Sequence, residues 1–153
     1  MSGTWPTFRA ALAAALEGVS WQVEDQAAET LSGFEYTPPG RQEVSLLPYA
    51  YLLPFTPEIT RVAGGQRLIA GEVTVRVMLG GPDDDLEAVH QRYDGAWLAI
   101  ADALDDFVAG DLTADYSHDQ TFGPLVRFED IDHGWGFELS IGVRISETRT
   151  LSA

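Results

Sequence analysis

The chain has 153 residues, contains no cysteine and carries 24 acidic side chains against 9 basic ones, for a formal net charge of −15. This length fits a single domain, residues 1–153, whose core needs no disulfide or structural metal. The missing cysteines exclude disulfide frameworks, thiol nucleophiles and thiolate metal sites. The acidic excess excludes broad binding of nucleic acid through phosphate neutralisation, which requires clustered basic residues.

The amino-terminal segment predicts an amphipathic helix from about Trp5 to Glu17, with Thr4 as N-cap and Gly18 as its stop. Its apolar residues recur at steps of three and four: Trp5, Phe8, Leu12, Leu16 and Val19. Arg9 interrupts the apolar start, so we expect no signal peptide. No stretch approaches the roughly 18 consecutive apolar residues of a membrane span, so we expect no membrane contact and synthesis in the cytoplasm.

A brief strand is predicted around Trp21 and Val23, followed by a long exposed loop over residues 24–42, where glycine and proline replace any periodicity. The next segment, Glu43–Phe55, is rich in apolar residues but contains two prolines. Proline cannot donate to a strand ladder, so this segment predicts an edge or irregular strand.

That segment has more apolar surface than an edge strand normally shows to water, so we expect another chain to cover part of it. The candidate subunit or tube interface, approached through residues 42–44, consists of Leu46, Leu47, Tyr49, Tyr51, Leu53 and Phe55. The alternative is that the segment is an ordinary core strand.

Residues 59–62 are predicted to extend this strand toward a turn at Gly64 and Gly65, and Arg67–Leu79 is the clearest strand in the chain. A long helix follows, capped within Asp83–Asp85, where Asp84 and Glu87 match the capping-box spacing, and closed by Gly110. An apolar stripe runs along it: Leu86, Val89, Tyr93, Trp97, Ile100, Leu104 and Val108.

The carboxyl-terminal part predicts a polar loop over residues 113–124 and then a hairpin of two strands, 125–131 and 136–146. Trp135 lies at the hairpin turn, where an exposed aromatic ring suits contact with a partner. The predicted fold is therefore α+β: a small mixed, mainly antiparallel sheet of about four to five strands, flanked by an N-terminal helix and one long central helix.

Residues that could carry chemistry are scattered. The histidines, His90, His118 and His133, show no metal-ligand spacing, and Ser117 beside His118 is only a neighbouring pair. Asp102, Asp105 and Asp106 could form a hydrolase acid/base pair, but a solvated helix face explains them better. No phosphate-binding glycine motif occurs. We expect no enzyme activity, no cofactor and no metal.

The order of predicted elements, the segment Phe8–Val19 (FRAALAAALEGV) and the segment Leu47–Pro54 (LPYAYLLP) together resemble the tail terminator, or tail-completion, proteins of long-tailed bacteriophages. The resemblance is one of layout over nearly the whole chain, without an invariant motif. The sequence contains neither lysine nor asparagine, as expected of a GC-rich genome such as that of an actinobacterial host and its phages.

The resemblance implies a structural virion protein in the tail and neck. Tail terminators form hexameric rings that cap the head-proximal end of the tail tube, end its polymerisation and meet the neck or head-completion protein. The expected partners are therefore further copies of this chain, the tail tube protein and the neck protein, with genomic DNA passing through the lumen without specific binding. The alternatives are another neck, head-completion or minor tail protein, an acidic DNA-mimic inhibitor, and a small acid-dependent hydrolase.

Overall fold

The structure is a computed structural model that describes residues 4–23, 27–36, 47–62, 64–107, 119–129 and 133–148. These residues form two helices and nine strands, in this order: α1 (Thr4–Leu16), β1 (Ser20–Trp21), β2 (Glu29–Thr30), β3 (Ser32–Phe34), β4 (Tyr49–Leu52), β5 (Glu58–Val62), β6 (Gln66–Gly80), α2 (Leu86–Asp105), β7 (Asp119–Phe122), β8 (Val126–Phe128) and β9 (Gly134–Thr148). No helix in these ranges is long and apolar enough to cross a membrane. The predicted α+β class, with an N-terminal and a long central helix, is confirmed.

Two long antiparallel strands form the centre of the main sheet. β6 and β9 have 15 residues each and pair from Gln66↔Thr148 to Gly80↔Trp135. Outside β6 lie β4, with β3 beyond it, and separately β5; outside β9 lie β7 and β8. β3 and β4 run in parallel, whereas the other described pairs are antiparallel. The sheet therefore has seven described strands rather than four to five, and the extra ones are short.

Both helices pack on one face of this sheet, which we call the front face. Alternate residues of β6 point into this core, and Val73, Val75 and Val77 are fully buried there. They lie opposite Ile141, Leu139 and Phe137 of β9, which are buried as well. The helices contribute a second set of buried side chains: Phe8, Leu12, Leu16, Val89, Ile100 and Leu104. The core is thus a two-layer contact between helices and sheet.

The start of α2 differs in detail from the sequence prediction. The N-cap is Asp85, and its side chain makes no capping hydrogen bond. Asp84 instead accepts a hydrogen bond from the backbone N–H of Gly81 at 2.9 Å, so it stabilises the turn before the helix. The Asp84–Glu87 capping box is therefore wrong, because the helix begins one residue later than that pairing requires.

Two segments predicted as loops contain strands. β2 and β3 lie within residues 24–42, and β7 lies within residues 113–124. β3 includes Gly33, where a Cβ atom would lie 2.5 Å from the carbonyl oxygen of Ala13. The glycine that suggested a loop is there because α1 passes directly over the strand. Tertiary packing, rather than local turn formation, explains that residue.

Candidate interaction surfaces

β4 is an interior strand rather than the predicted edge strand. It lies between β3 and β6, and all four of its residues are buried. Ala50 and Leu52 point to the front face and join the main core. Pro48 precedes β4 and Pro54 follows it, so neither proline of this segment interrupts the ladder. The edge-strand prediction is wrong because β3 supplies a partner that the sequence pattern did not reveal.

Tyr49 and Tyr51 point to the opposite, back face of the sheet. Their rings stack with centroids 6.2 Å apart, and both side chains are 1% exposed. With Met78 they form a second buried cluster, against which four partly buried residues pack: Phe34, Leu47, Leu53 and Phe128. The prediction that Tyr49 and Tyr51 present apolar surface to another chain is therefore wrong, because their own protomer encloses them. Leu46 and residues 42–44 lie outside the described residues.

Arg76 crosses this back face beside the tyrosine cluster. Its guanidinium lies 4.0 Å from the ring centroid of Phe128 and donates to Oε2 of Glu138 at 3.2 Å. The ion pair joins β6 to β9, and the ring of Phe128 covers the cation from the other side. The back face is therefore closed by side chains of the sheet itself at this point.

Phe55 remains partly accessible and forms one wall of a cleft. Its ring stacks on Trp5 with centroids 4.1 Å apart. Across the cleft, Arg9 pairs with Glu35 at 3.3 Å and lies over the ring of Tyr36, which is 59% exposed. The cleft has a volume of about 440 Å³, and Leu53 also lines it. Phe55 and Leu53 are thus the predicted interface residues that line this cleft, and Leu47 is likewise only partly buried.

Trp135 is not an exposed hairpin tip. It lies in β9, opposite Gly80, and packs partly buried against the main core. The turn residue beside the strand is His133, which is exposed and has a positive φ of 44°. Because the indole faces the core, the second predicted contact site is wrong as an exposed anchor.

The solvent-facing side of α2 carries carboxylates together with three exposed apolar side chains, Leu86, Trp97 and Leu98. Asp102, Asp105 and Asp106 are exposed, as predicted for a solvated helix face, and Asp94 is exposed as well. No group of three or more acidic, histidine or cysteine side chains within the described residues could hold a metal ion. The face therefore acts as a concentration of negative charge rather than as a pocket.

Tyr93 ties α2 to the loop between β7 and β8. Its hydroxyl donates to the carbonyl oxygen of Gly123 at 2.8 Å, and its ring meets Phe137 edge-on. Burial, with a smaller contribution from the charge of Asp94, raises the pKa of the Tyr93 phenol above its usual value. The phenol is thus a neutral hydrogen-bond donor that fixes the helix on the sheet.

A three-stranded arm continues the sheet beyond the strands β4 and β7. It consists of β5, residues 66–71 of β6 and residues 143–148 of β9. Within the described residues nothing pairs with the outer side of β5 or with the outer side of residues 143–148. Ile59 of β5 is 51% exposed. Among the described residues, β5 is therefore a sheet edge without an outer partner strand, which sequence patterns alone did not reveal.

No protein-family model matches the chain, and no curated protein sequence is significantly similar to it.

Proposed function

We propose that this chain is a structural virion protein that assembles into a ring, expected to be hexameric, on the head-proximal end of a phage tail tube. There it ends tube polymerisation and joins the tail to the neck. The observation that carries the proposal is β5, whose outer side has no partner strand among the described residues, because an open sheet edge pairs readily with another chain. A protein that assembles with copies of itself uses such edges, whereas a monomeric protein usually blunts or covers them.

The charge of the chain supports a ring through which DNA passes. Six copies would carry roughly ninety negative charges in all, from −15 on each. A lumen with the same sign as the phosphate backbone lets a genome move without adhering. The exposed carboxylates of α2 form an acidic surface, so we assign them to the lumen.

The cleft beside Phe55 supports a contact with the tail tube or the neck protein. Its walls combine stacked aromatic rings with an arginine, and both are enriched where proteins bind each other. Tyr36 is the most exposed large apolar residue described, and it lies at the mouth of this cleft. In the proposed ring, this surface meets one of the two virion partners.

The mass and shape of the purified protein test the proposal directly. Light scattering should give a multiple of the 16.7 kDa chain mass, alone or in the presence of phage tail tubes. Electron microscopy should show closed rings seated at one end of each tube. A protein that stays monomeric beside tubes and leaves both ends bare would contradict the proposal.

The acidic face of α2 also suits a second candidate, a DNA-mimic inhibitor, since exposed carboxylates on one helix can imitate phosphates. That protein would be a monomer and would displace DNA from a DNA-binding enzyme. The same scattering experiment separates the two candidates, because the mimic does not form rings.

A further inference from the structure

We propose that the front face of β5 binds the acidic turn that precedes α2 in a second copy of this chain. We call these two surfaces the arm patch and the acidic turn. The inference rests on the proposed ring and identifies the contact that joins neighbouring copies. The arm patch comprises Ile59, Arg61 and Arg67, and the acidic turn comprises Asp83, Asp85 and Leu86.

Two arginines lie directly opposite each other in the arm patch. Arg61 of β5 is in register with Arg67 of β6, and Arg67 is in register with Glu147 of β9. Like charges opposite each other on neighbouring strands repel, so the fold itself gives no reason for this arginine pair. The row keeps a net positive charge in a chain whose total is −15. Arg61 is exposed, on the strand without an outer partner among the described residues, and forms no ion pair with them.

An exposed apolar side chain accompanies these cations. Ile59 lies two residues before Arg61 and therefore on the same face of β5, where it is 51% exposed. It continues a row of isoleucines whose other members, Ile69 and Ile145, are buried. The arm patch thus combines apolar area with arginine, and arginine is enriched where proteins bind each other.

The acidic turn offers negative charge beside its own exposed apolar side chain. Asp83 and Asp85 are exposed, and the N-cap residue Asp85 makes no side-chain capping hydrogen bond. Asp84, between them, is the carboxylate that pairs with Arg92. Leu86 follows directly and is 44% exposed. Two carboxylates can therefore accept charge-assisted hydrogen bonds from arginines of another chain, while Leu86 covers apolar area.

The two surfaces lie at opposite ends of β6 and cannot meet within one protomer. The strand runs from Arg67 in the arm patch to Gly80, shortly before the acidic turn, a length of about 40 Å at roughly 3.3 Å per residue. A contact between them therefore joins two copies. Two different surfaces that meet head to tail form a closed ring when the rotation between copies closes. The contact leaves the carboxylates at the other end of α2 facing the lumen.

A second copy fits the arm patch better than a nucleic acid does. A phosphate backbone would approach a chain of net charge −15, which repels it over most of the surface. A second copy brings one acidic turn for each arm patch, so every copy in a closed ring satisfies both surfaces.

The chain contains no lysine, which allows a zero-length cross-linking test. Arg61→Lys keeps the positive charge and supplies an amine that a carbodiimide couples to a carboxylate in direct contact. On a denaturing gel it should give covalent multimers beyond any that the unchanged protein forms through its α-amino group. Peptide mapping should join position 61 to the segment that contains Asp83 and Asp85. The matched control is Arg144→Lys, because Arg144 is exposed on the back face of the same arm.

The other outcomes separate the contact from the ring. Equal amounts of multimer from Arg61→Lys and Arg144→Lys, or a cross-link from position 61 to β5 of a second copy, would overturn the contact. A cross-link to the tail tube protein alone would overturn it as well. Rings seen by light scattering without the mapped cross-link would overturn the contact but leave the ring function standing. Monomers in both measurements, even beside tail tubes, would overturn the ring too.

Charge reversal tests the same contact without cross-linking. Arg61→Glu and Asp83→Arg should each raise the protein concentration needed for assembly about tenfold, because each places like charges together. The double variant should restore assembly toward that of the unchanged protein, and Arg144→Glu controls for the change in net charge. Circular dichroism checks that each variant is folded. Single variants that assemble normally, or a folded double variant that stays monomeric, would overturn the pairing of the two surfaces.

Discussion

Trp21 lies directly against Gly95 of the long helix: a Cβ atom built on Gly95 would be 2.6 Å from Cδ1 of the indole. This contact explains a glycine in the middle of α2, where it costs roughly 1 kcal/mol relative to alanine. The indole is 7% exposed and occupies the notch that the missing side chain leaves. The short strand β1 is thereby anchored on the helix.

Gly95→Ala should therefore destabilise the protein by about 1–3 kcal/mol, although alanine is the better helix former. Chemical denaturation measures the free energy of unfolding. The control is the same substitution in a Trp21→Leu background, where the notch is empty and alanine should be neutral or stabilising. The buried indole N–H has no hydrogen-bond partner among the described residues, so Trp21→Leu breaks no hydrogen bond. If Gly95→Ala changed the free energy of unfolding equally in the parent and in the Trp21→Leu variant, contact with the indole would not be the cause of the destabilisation.

Gly33→Ala should be more damaging, because its new Cβ would meet backbone atoms of α1 rather than a side chain. The nearest atoms are the carbonyl oxygen of Ala13 at 2.5 Å and the amide nitrogen of Glu17 at 2.8 Å. We expect a loss of at least about 3 kcal/mol, since the helix must move away from the sheet. Gly81→Ala is the matched control, because nothing lies within 4 Å of its added Cβ. Similar melting temperatures for Gly33→Ala and Gly81→Ala would contradict a clash between the new Cβ atom and the backbone of α1.

The tyrosine cluster on the back face belongs to the protomer's stability. Tyr51→Ala should lower the free energy of unfolding by about 3–5 kcal/mol, the range for large aromatic side chains deleted from cores. Phe55→Ala, at a partly exposed position, should cost less. If assembly is intact in Phe55→Ala but tube binding is lost, the cleft is the tube contact. A Tyr51→Ala protein that is as stable as the parent would show that the Tyr51 side chain is not buried in solution.

Tyr93 gives the protein a pH-dependent contribution to stability on the alkaline side. The phenol has a raised pKa in the fold because burial, and then Asp94, disfavour its charged form. The unfolded chain loses this proton near pH 10, so the contribution is complete below that pH and is lost as pH rises through the folded pKa.

Tyr93→Phe should remove this alkaline dependence and also the hydrogen bond to Gly123, at a cost of about 1 kcal/mol near neutral pH. Urea denaturation between about pH 8 and pH 11 compares the slopes of the two proteins. The variant should approach the parent in stability as pH rises. If the stabilities of the two proteins changed in parallel over that pH range, the alkaline dependence could not be assigned to Tyr93.

Sequence periodicity predicted the elements that form the core. The alternation in β6 and the helical spacing of Phe8, Leu12 and Leu16 both correspond to buried faces. The short strands β2, β3 and β7 were missed because most of their residues are polar or glycine, and contacts with segments distant in sequence stabilise them. Local propensity cannot show a partner that is distant in sequence.

The candidate interface was harder to predict for the same reason. An apolar run such as residues 46–55 fits either an exposed contact or a buried interior strand, and only the position of β3 decides between them. The arm left no comparable signal, because residues 59–62 were predicted only to extend the preceding strand, whereas β5 pairs with β6 across the turn at Gly64 and Gly65.

Charge reversal on α2 tests the proposed acidic lumen. Replacing Asp102, Asp105 and Asp106 with arginine should slow the release of DNA from assembled phage, because a cationic wall attracts the phosphate backbone. Acidic side chains at the carboxyl end of a helix oppose its dipole, so these substitutions should not weaken α2.

The matched asparagine variant removes the same negative charges without adding positive ones, so its effect should be smaller than that of arginine. A fluorescent DNA stain added after triggered ejection measures the release rate, and the slowing should diminish at higher salt as the attraction is screened. Arginine-substituted phage that assemble normally and release DNA at the unchanged rate would place these carboxylates on the outside of the ring. On the outside these carboxylates would face water or a basic surface of the tube or neck protein, since exposed carboxylates on one helix repel any partner of like charge.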